Sequence, residues 1–172
     1  FIGIVRYYAI PAEGVPVDGA FRKGPGEKLI KAIDEAIGDA KVIAEDLGVV
    51  VPGVKQLLKQ SGYPGMKILE FAFDGKRDNE YLPHNYERNC VVYSGTHDNE
   101  TLLGYFDSLP EEGYQYLLDY TGLCISDKIC SEFKEKLANA VIRLAYQSVA
   151  DTVILQMQDI LKKDNDARMN LP

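Results

Sequence analysis

Val42-Ile43-Ala44-Glu45-Asp46-Leu47-Gly48-Val49 is an apolar run that stops abruptly at two carboxylates and a glycine. A parallel strand covered on both faces is continuously apolar, and polar groups are tolerated only where it leaves the sheet. The stretch therefore predicts a buried strand over 41–46 with Glu45 and Asp46 at its C-terminal tip. Cys90-Val91-Val92-Tyr93-Ser94-Gly95-Thr96-His97-Asp98-Asn99-Glu100 repeats the pattern, with a strand over 90–95 running into a glycine turn and a polar cluster. Two acid-bearing strand tips are what a carboxylate-pair enzyme needs.

Outward from these strands the pattern alternates. Residues 1–24 have no sustained period and read as a long loop after a strand, with Tyr7, Tyr8 and Phe21 exposed unless something stacks on them. Pro25 opens a helix whose Leu29, Ile30, Ile33, Ala36 and Ile37 recur at helical spacing until Gly38. Val54, Leu57 and Leu58 mark a second helix ended by Gly62, and Tyr63-Pro64-Gly65 turns into a strand from Met66 to Phe73, where Phe71 and Phe73 should share one core-facing side. Residues 74–89 are polar and read as a surface loop. A helix is expected near 99–107, another from Pro110, and a long one over 126–149 with Ser126 as N-cap, before a last strand from Thr152 to Met157 and Gln158-Asp159.

Helices alternating with short apolar strands imply βαβ units and a parallel sheet with chemistry at the strand C-termini. At 172 residues the chain is too short for a whole eight-fold barrel of about 250 residues. The first residue is not methionine, which adds to the expectation of a fragment. The fold expected is α/β, roughly half of a (β/α)₈ barrel.

Composition narrows the function. With 26 acidic against 19 basic residues the net charge is −7, which disfavours nucleic acid or an acidic membrane and suits a neutral ligand. No apolar run approaches the ~18 residues of a membrane helix. Cys90, Cys124 and Cys130 form no Cys-x-x-Cys pair; they read as buried small hydrophobes in a reducing, cytoplasmic compartment. No Gly-x-Gly-x-x-Gly follows a strand, no P-loop is present, and no metal-ligand spacing is visible.

Nine blocks in order carry a resemblance: Tyr8-Ala9-Ile10-Pro11, Gly24-Pro25-Gly26, Ile43-Ala44-Glu45-Asp46-Leu47-Gly48, Pro64-Gly65-Met66-Lys67, Phe71-Ala72-Phe73, Leu82-Pro83-His84-Asn85, Tyr93-Ser94-Gly95-Thr96-His97-Asp98-Asn99, Gln158-Asp159 and Ala167-Arg168-Met169-Asn170. On these the chain resembles the C-terminal half of the amylomaltases, the 4-α-glucanotransferases or disproportionating enzymes of the α-amylase clan. The resemblance implies strands 5 to 8 of a single catalytic (β/α)₈ barrel over residues 1–172, with the N-terminal half and the extreme C-terminus missing. It implies retaining transfer of an α-1,4-glucan segment to the 4-hydroxyl of glucose, maltose or another glucan, drawn from maltodextrins, starch or glycogen fragments, with no cofactor or metal.

Carried over by motif, Glu45 would be the general acid/base and Asp98 the carboxylate that binds sugar hydroxyls and stabilises the transition state. His97, Asn99, Tyr8 and His84 would contact substrate, Tyr8 by stacking. Without the resemblance, Glu45 reads equally as a salt-bridge partner, His97 as a structural histidine and His84 as loop scaffolding, while Asp46 suits capping of the segment after it and Arg168 and Asn170 suit holding the tail. The family's nucleophilic aspartate falls in an Arg-x-Asp-His-Phe block whose Phe matches Phe1, two residues before the chain begins. Ile2, where the family has arginine, and Gln156, near a usual proline, depart from the pattern. The isolated chain is expected to be inactive and, through open sheet edges, to self-associate. A non-catalytic glucan-binding piece and an α-glucan hydrolase of the same clan are the alternatives.

Overall fold

The computed structural model describes residues 2–48, 53–124 and 130–171. Two compact units divide the chain, Phe1–Met66 and Lys67–Pro172.

The first unit opens with a short helix α1 (Ile2–Val5) and an antiparallel hairpin of β1 (Arg6–Ala9) and β2 (Ala20–Lys23), paired Arg6 to Lys23 through Ala9 to Ala20. This corrects the expected featureless loop over 1–24. Both strands are largely exposed, so neither face imposes the alternation that makes a strand legible. Register comes from side chains: Tyr8 and its partner Phe21 meet edge-on at 5.1 Å, and Arg6 lies 3.9 Å over the Phe21 ring. Helices α2 (Glu27–Ile37) and α3 (Val54–Ser61) follow at the expected places, each stopped by a glycine with positive φ, Gly38 and Gly62. Only Ile30 of the expected α2 stripe is buried, while Leu29 and Ile37 stay exposed. Ala44, Val54 and Leu57 are buried too.

The expected strand over 41–46 contracts to one parallel bridge, Ala44 to Gly65. Ala44 donates its N–H to the Pro64 carbonyl at 2.9 Å and is buried, whereas Ile43 and Glu45 are exposed. A strand needs a ladder, and among the described residues only this rung is made.

At the junction of the units begins β3 (Gly65–Ile68), which with β4 (Cys90–Tyr93) and β5 (Thr152–Ile154) forms a parallel sheet in the order β3-β4-β5. Register between β4 and β5 runs Val91 to Thr152, Val92 to Val153 and Tyr93 to Ile154. The strand expected to reach Phe73 ends at Ile68. Beyond it, Leu69–Phe71 coils into a 3₁₀ turn closed by the Ala72 N–H on the Leu69 carbonyl. That coil breaks the alternation, so Phe73 is buried while Phe71 is 43% exposed, against the expectation that both face the core.

Helices α4 (Leu102–Ser108), α5 (Glu111–Thr121) and α6 (Ser131–Gln147) cover the sheet of the second unit. Pro110 stands at the N-cap of α5 as its position before the apolar stripe predicts. Described α6 is shorter at both ends than the expected 126–149, and Ser126 lies outside the described residues. Leu69, Val92, Leu102, Leu117, Leu137 and Val141 lie at the centre of one core. The expected strand 152–157 stops at Ile154, and a short helix α7 (Met157–Ile160) takes over. Cys90 is buried as expected; Cys124 and Cys130 are exposed, because they fall outside the apolar stripes of α5 and α6.

Candidate active site

In the first unit the carboxylates of 45–46 part company. Glu45 is exposed just past the Ala44 bridge. Asp46 turns back, and its Oδ1 accepts the Met66 N–H at 2.8 Å, which corrects the expected cap of its own following segment to a brace on β3. Gly65 permits this approach, since a Cβ there would lie 2.7 Å from Asp46 Oδ2. Ile2 reaches the loop after Glu45, with its Cδ1 beside Gly48. Tyr8 is 44% exposed, yet its hydroxyl donates to the Pro16 carbonyl at 2.7 Å and its ring covers Gly19, so it also braces the hairpin loop.

In the second unit the candidate site is a turn at the tip of β4. Asn99 builds it: its Oδ1 accepts the Thr96 N–H at 2.8 Å and the Thr96 hydroxyl at 2.7 Å, while its own N–H reaches the Thr96 carbonyl at 3.0 Å. His97 and Asp98 are thereby lifted to the apex, their side chains 77% and 58% exposed, with His97 Nε2 3.3 Å from Asp98 Oδ1. The C-terminal tail completes the fixation. Asn170 Nδ2 donates to Asp98 Oδ1 at 2.6 Å, and Arg168 Nη2 donates to the Asp98 carbonyl at 3.2 Å. Asn170 thus holds the carboxylate and Arg168 the backbone of the same residue.

Beneath the turn lies a buried polar floor. Asp159, 1% exposed, accepts the Ser94 hydroxyl at 2.5 Å and the Leu102 N–H at 2.8 Å, tying the tip of β4 and the start of α4 to α7. Burial pushes its carboxyl up, against the pull of those two hydrogen bonds and of Lys162. Thr101 caps α4 by accepting the Gly104 N–H at 3.3 Å, and Asn165 accepts the Thr101 N–H at 3.1 Å. Gln156, the departure from the family pattern, donates to the Glu100 carbonyl at 3.2 Å.

Glu70 belongs to this floor and was not anticipated. It is 9% exposed, and burial first, then the charges of Asp159 and Glu100, push its carboxyl up to about 9, opposed in part by a hydrogen bond from Asn99 and by Arg168. Its signal was in the sequence: Ile68-Leu69-Glu70-Phe71 sets an acid at the end of an apolar strand, as Ala44-Glu45 does.

His84 sits apart from this turn. Its Nε2 donates to the Arg77 carbonyl at 3.1 Å, and its Nδ1 lies 2.9 Å from the Tyr120 hydroxyl. Both ring nitrogens are engaged, and the ring stacks on Tyr120 at 5.7 Å. Those contacts tie the loop that carries Arg77 and His84 to Tyr120 of α5. Among the described residues no group of three or more His, Cys, Asp or Glu could hold a metal ion, and no helix is long and apolar enough to cross a membrane.

Comparison with known proteins places this arrangement. The family model described as 4-alpha-glucanotransferase matches residues 1–172. The chloroplastic/amyloplastic 4-alpha-glucanotransferase of Arabidopsis thaliana is 44% identical over 173 residues, covering 100% of this chain and 29% of that protein. The 4-alpha-glucanotransferase of Thermus thermophilus is 41% identical over 179 residues, covering 100% of this chain and 34% of its own length. Among solved structures, the amylomaltase of Streptococcus agalactiae in complex with acarbose matches with a TM-score of 0.84 at 37% identity, over 99% of this chain and 33% of that one. The amylomaltase of Corynebacterium glutamicum, 18% identical, matches in fold with a TM-score of 0.73 over 99% of this chain and 29% of its own. The chain spans about a third of the length of these relatives. It belongs to the 4-alpha-glucanotransferase family.

Proposed function

We propose that the whole protein is a 4-α-glucanotransferase, and that this chain is the C-terminal part of its (β/α)₈ barrel. The Ala44 segment, β3, β4 and β5 would serve as strands five to eight. The sheet order β3-β4-β5 follows the sequence; Glu70, the 96–99 turn and Asp159 come after β3, β4 and β5 in the chain, as Glu45 comes after the Ala44 bridge, and such barrels do their chemistry beyond the C-terminal ends of their strands.

The observation that carries the reading is the handling of Asp98. An exposed carboxylate at a strand tip has one oxygen anchored by Asn170 and flanked by His97, while the rest of the group faces outward. A surface acid has no need of two residues to aim it. A carboxylate that binds sugar hydroxyls does, because orientation is where much of the rate comes from.

In the retaining reaction Glu45 protonates the glycosidic oxygen as the C1–O bond breaks and an aspartate supplied by the upstream sequence bonds to C1. The departing sugar leaves, and an acceptor 4-hydroxyl gives its proton to Glu45 as its oxygen displaces the aspartate from C1. Asp98 holds the ring hydroxyls of the donor throughout, and His97 assists. Donors are α-1,4-glucans, and glucose or maltose serves as acceptor; acarbose, present in the Streptococcus agalactiae structure, fits that substrate class. We place the protein in a reducing compartment such as the cytoplasm, while plant relatives are named as chloroplastic.

The test is incubation of the full-length protein with maltotriose and radiolabelled glucose. Label carried into maltose and longer chains supports transfer; release of unlabelled glucose with no labelled oligomer means hydrolysis and sinks the proposal.

A further inference from the structure

Glu70 is a buried acid to which the steps of the transfer reaction assign no bond-making role. Its Oε1 is inaccessible and without a hydrogen-bond partner, an arrangement tolerable for a neutral carboxyl and costly for a carboxylate. The backbone around it is tightly set: the Glu70 N–H donates to the Ser94 carbonyl at 3.3 Å, at the tip of β4. A Cβ on Gly95 would collide with Oε1 and would also lie 3.1 Å from the Asn99 Cβ, so this glycine lets the acid sit directly under the turn. Contact with the turn is made through Asn99, whose amide hydrogen-bonds to Glu70 while its Oδ1 is committed to Thr96. Asn99 therefore links the buried acid to the turn that presents Asp98.

We propose that Glu70 is a positioning residue for glucan transfer: through Asn99 it sets the Thr96–Asn99 turn and so aims Asp98. This rests on the transferase reading. The surroundings of Glu70 favour the neutral acid. Asp159 on α7 and Glu100 before α4 oppose its ionisation, Arg168 of the tail favours it, and Tyr105 of α4 and Asp74 stand nearby. In such surroundings the carboxyl is held up to about 9, so it stays protonated through neutral pH. Once ionised, Glu70 would add a charge to a floor that already holds two acids, and the turn would shift.

The experiment measures kcat and KM on maltotriose from pH 6 to 10 for the full-length protein and its Glu70→Gln and Glu70→Ala variants, with folding checked by thermal melting. Glu70→Ala is expected to lower kcat roughly 10- to 100-fold at pH 7 with KM little changed, the size expected for a misaimed group. Glu70→Gln, a neutral replacement of the same shape, should keep most of the neutral-pH kcat and lack the alkaline fall expected of the wild type near pH 9. Folded Glu70→Ala with wild-type kcat, or the same alkaline limb in wild type and Glu70→Gln, overturns the inference alone. A folded wild type that elongates nothing overturns the transferase reading instead.

Discussion

Asn170 donates to Asp98 Oδ1 at 2.6 Å across 72 positions of sequence, so the last described residues of the chain aim a carboxylate that stands at the tip of β4. Removing that donor costs orientation more than stability, because both groups are exposed to solvent or partly so. Asn170→Ala in the full-length protein should lower kcat about 10- to 100-fold, while changing stability by less than about 1 kcal/mol. Steady-state disproportionation of maltotriose beside a melting curve separates the two. An unchanged kcat would mean that Asp98 is aimed without the tail.

Asp159 is the opposite case, a group whose worth is structural. It is buried and accepts both the Ser94 hydroxyl and the Leu102 N–H. Asp159→Ala leaves those two buried donors without a partner, and roughly 2–4 kcal/mol of stability should go with them. Urea unfolding gives the value directly, and a loss below about 0.5 kcal/mol would show that neighbours re-satisfy both donors.

Glu70 makes a prediction about stability as well as rate. Its folded value, about 9, lies above the ordinary 4.5 that it regains on unfolding. Between those values the folded chain keeps a proton that the unfolded chain has released, so stability falls as pH rises through this window and levels off above it. Glu70→Gln cannot ionise and should escape that fall. Its melting temperature relative to wild type should climb steadily from pH 5 to 9. Parallel curves would show that Glu70 ionises normally in the folded chain.

Much of this was legible in sequence where physics is local. The stops at Gly38 and Gly62 were readable because a positive φ favours glycine, and the start at Pro110 because proline suits a helix entrance. The start of β4 at Cys90 was readable, while the strand expected to reach Gly95 stops at Tyr93, where the polar Ser94-Gly95-Thr96 begins. What could not be read depended on partners distant in sequence. The hairpin of Arg6–Lys23 lacks a buried face to impose a period, and the 41–46 strand keeps a single rung because strand length depends on its neighbours. Two local features were silent as well: the turn that Asn99 Oδ1 closes on Thr96, and the 3₁₀ turn that takes Phe71 out of the core, neither of which apolar alternation hints at. Glu70 was hidden for another reason: one acid in an apolar run looks like a strand end, and only the packing of Gly95 and Asn99 around it reveals its place.

The central claim is that Glu45 is the acid/base of a retaining glucan transfer. Its most direct test is Glu45→Gln in the full-length protein, with maltotriose as sole substrate and the products separated by length. Wild type should give glucose and a ladder of longer maltodextrins, and the folded variant should lose the ladder by a factor of at least about 100. A ladder of undiminished rate from Glu45→Gln would contradict the account, because the proton would then have to come from another residue.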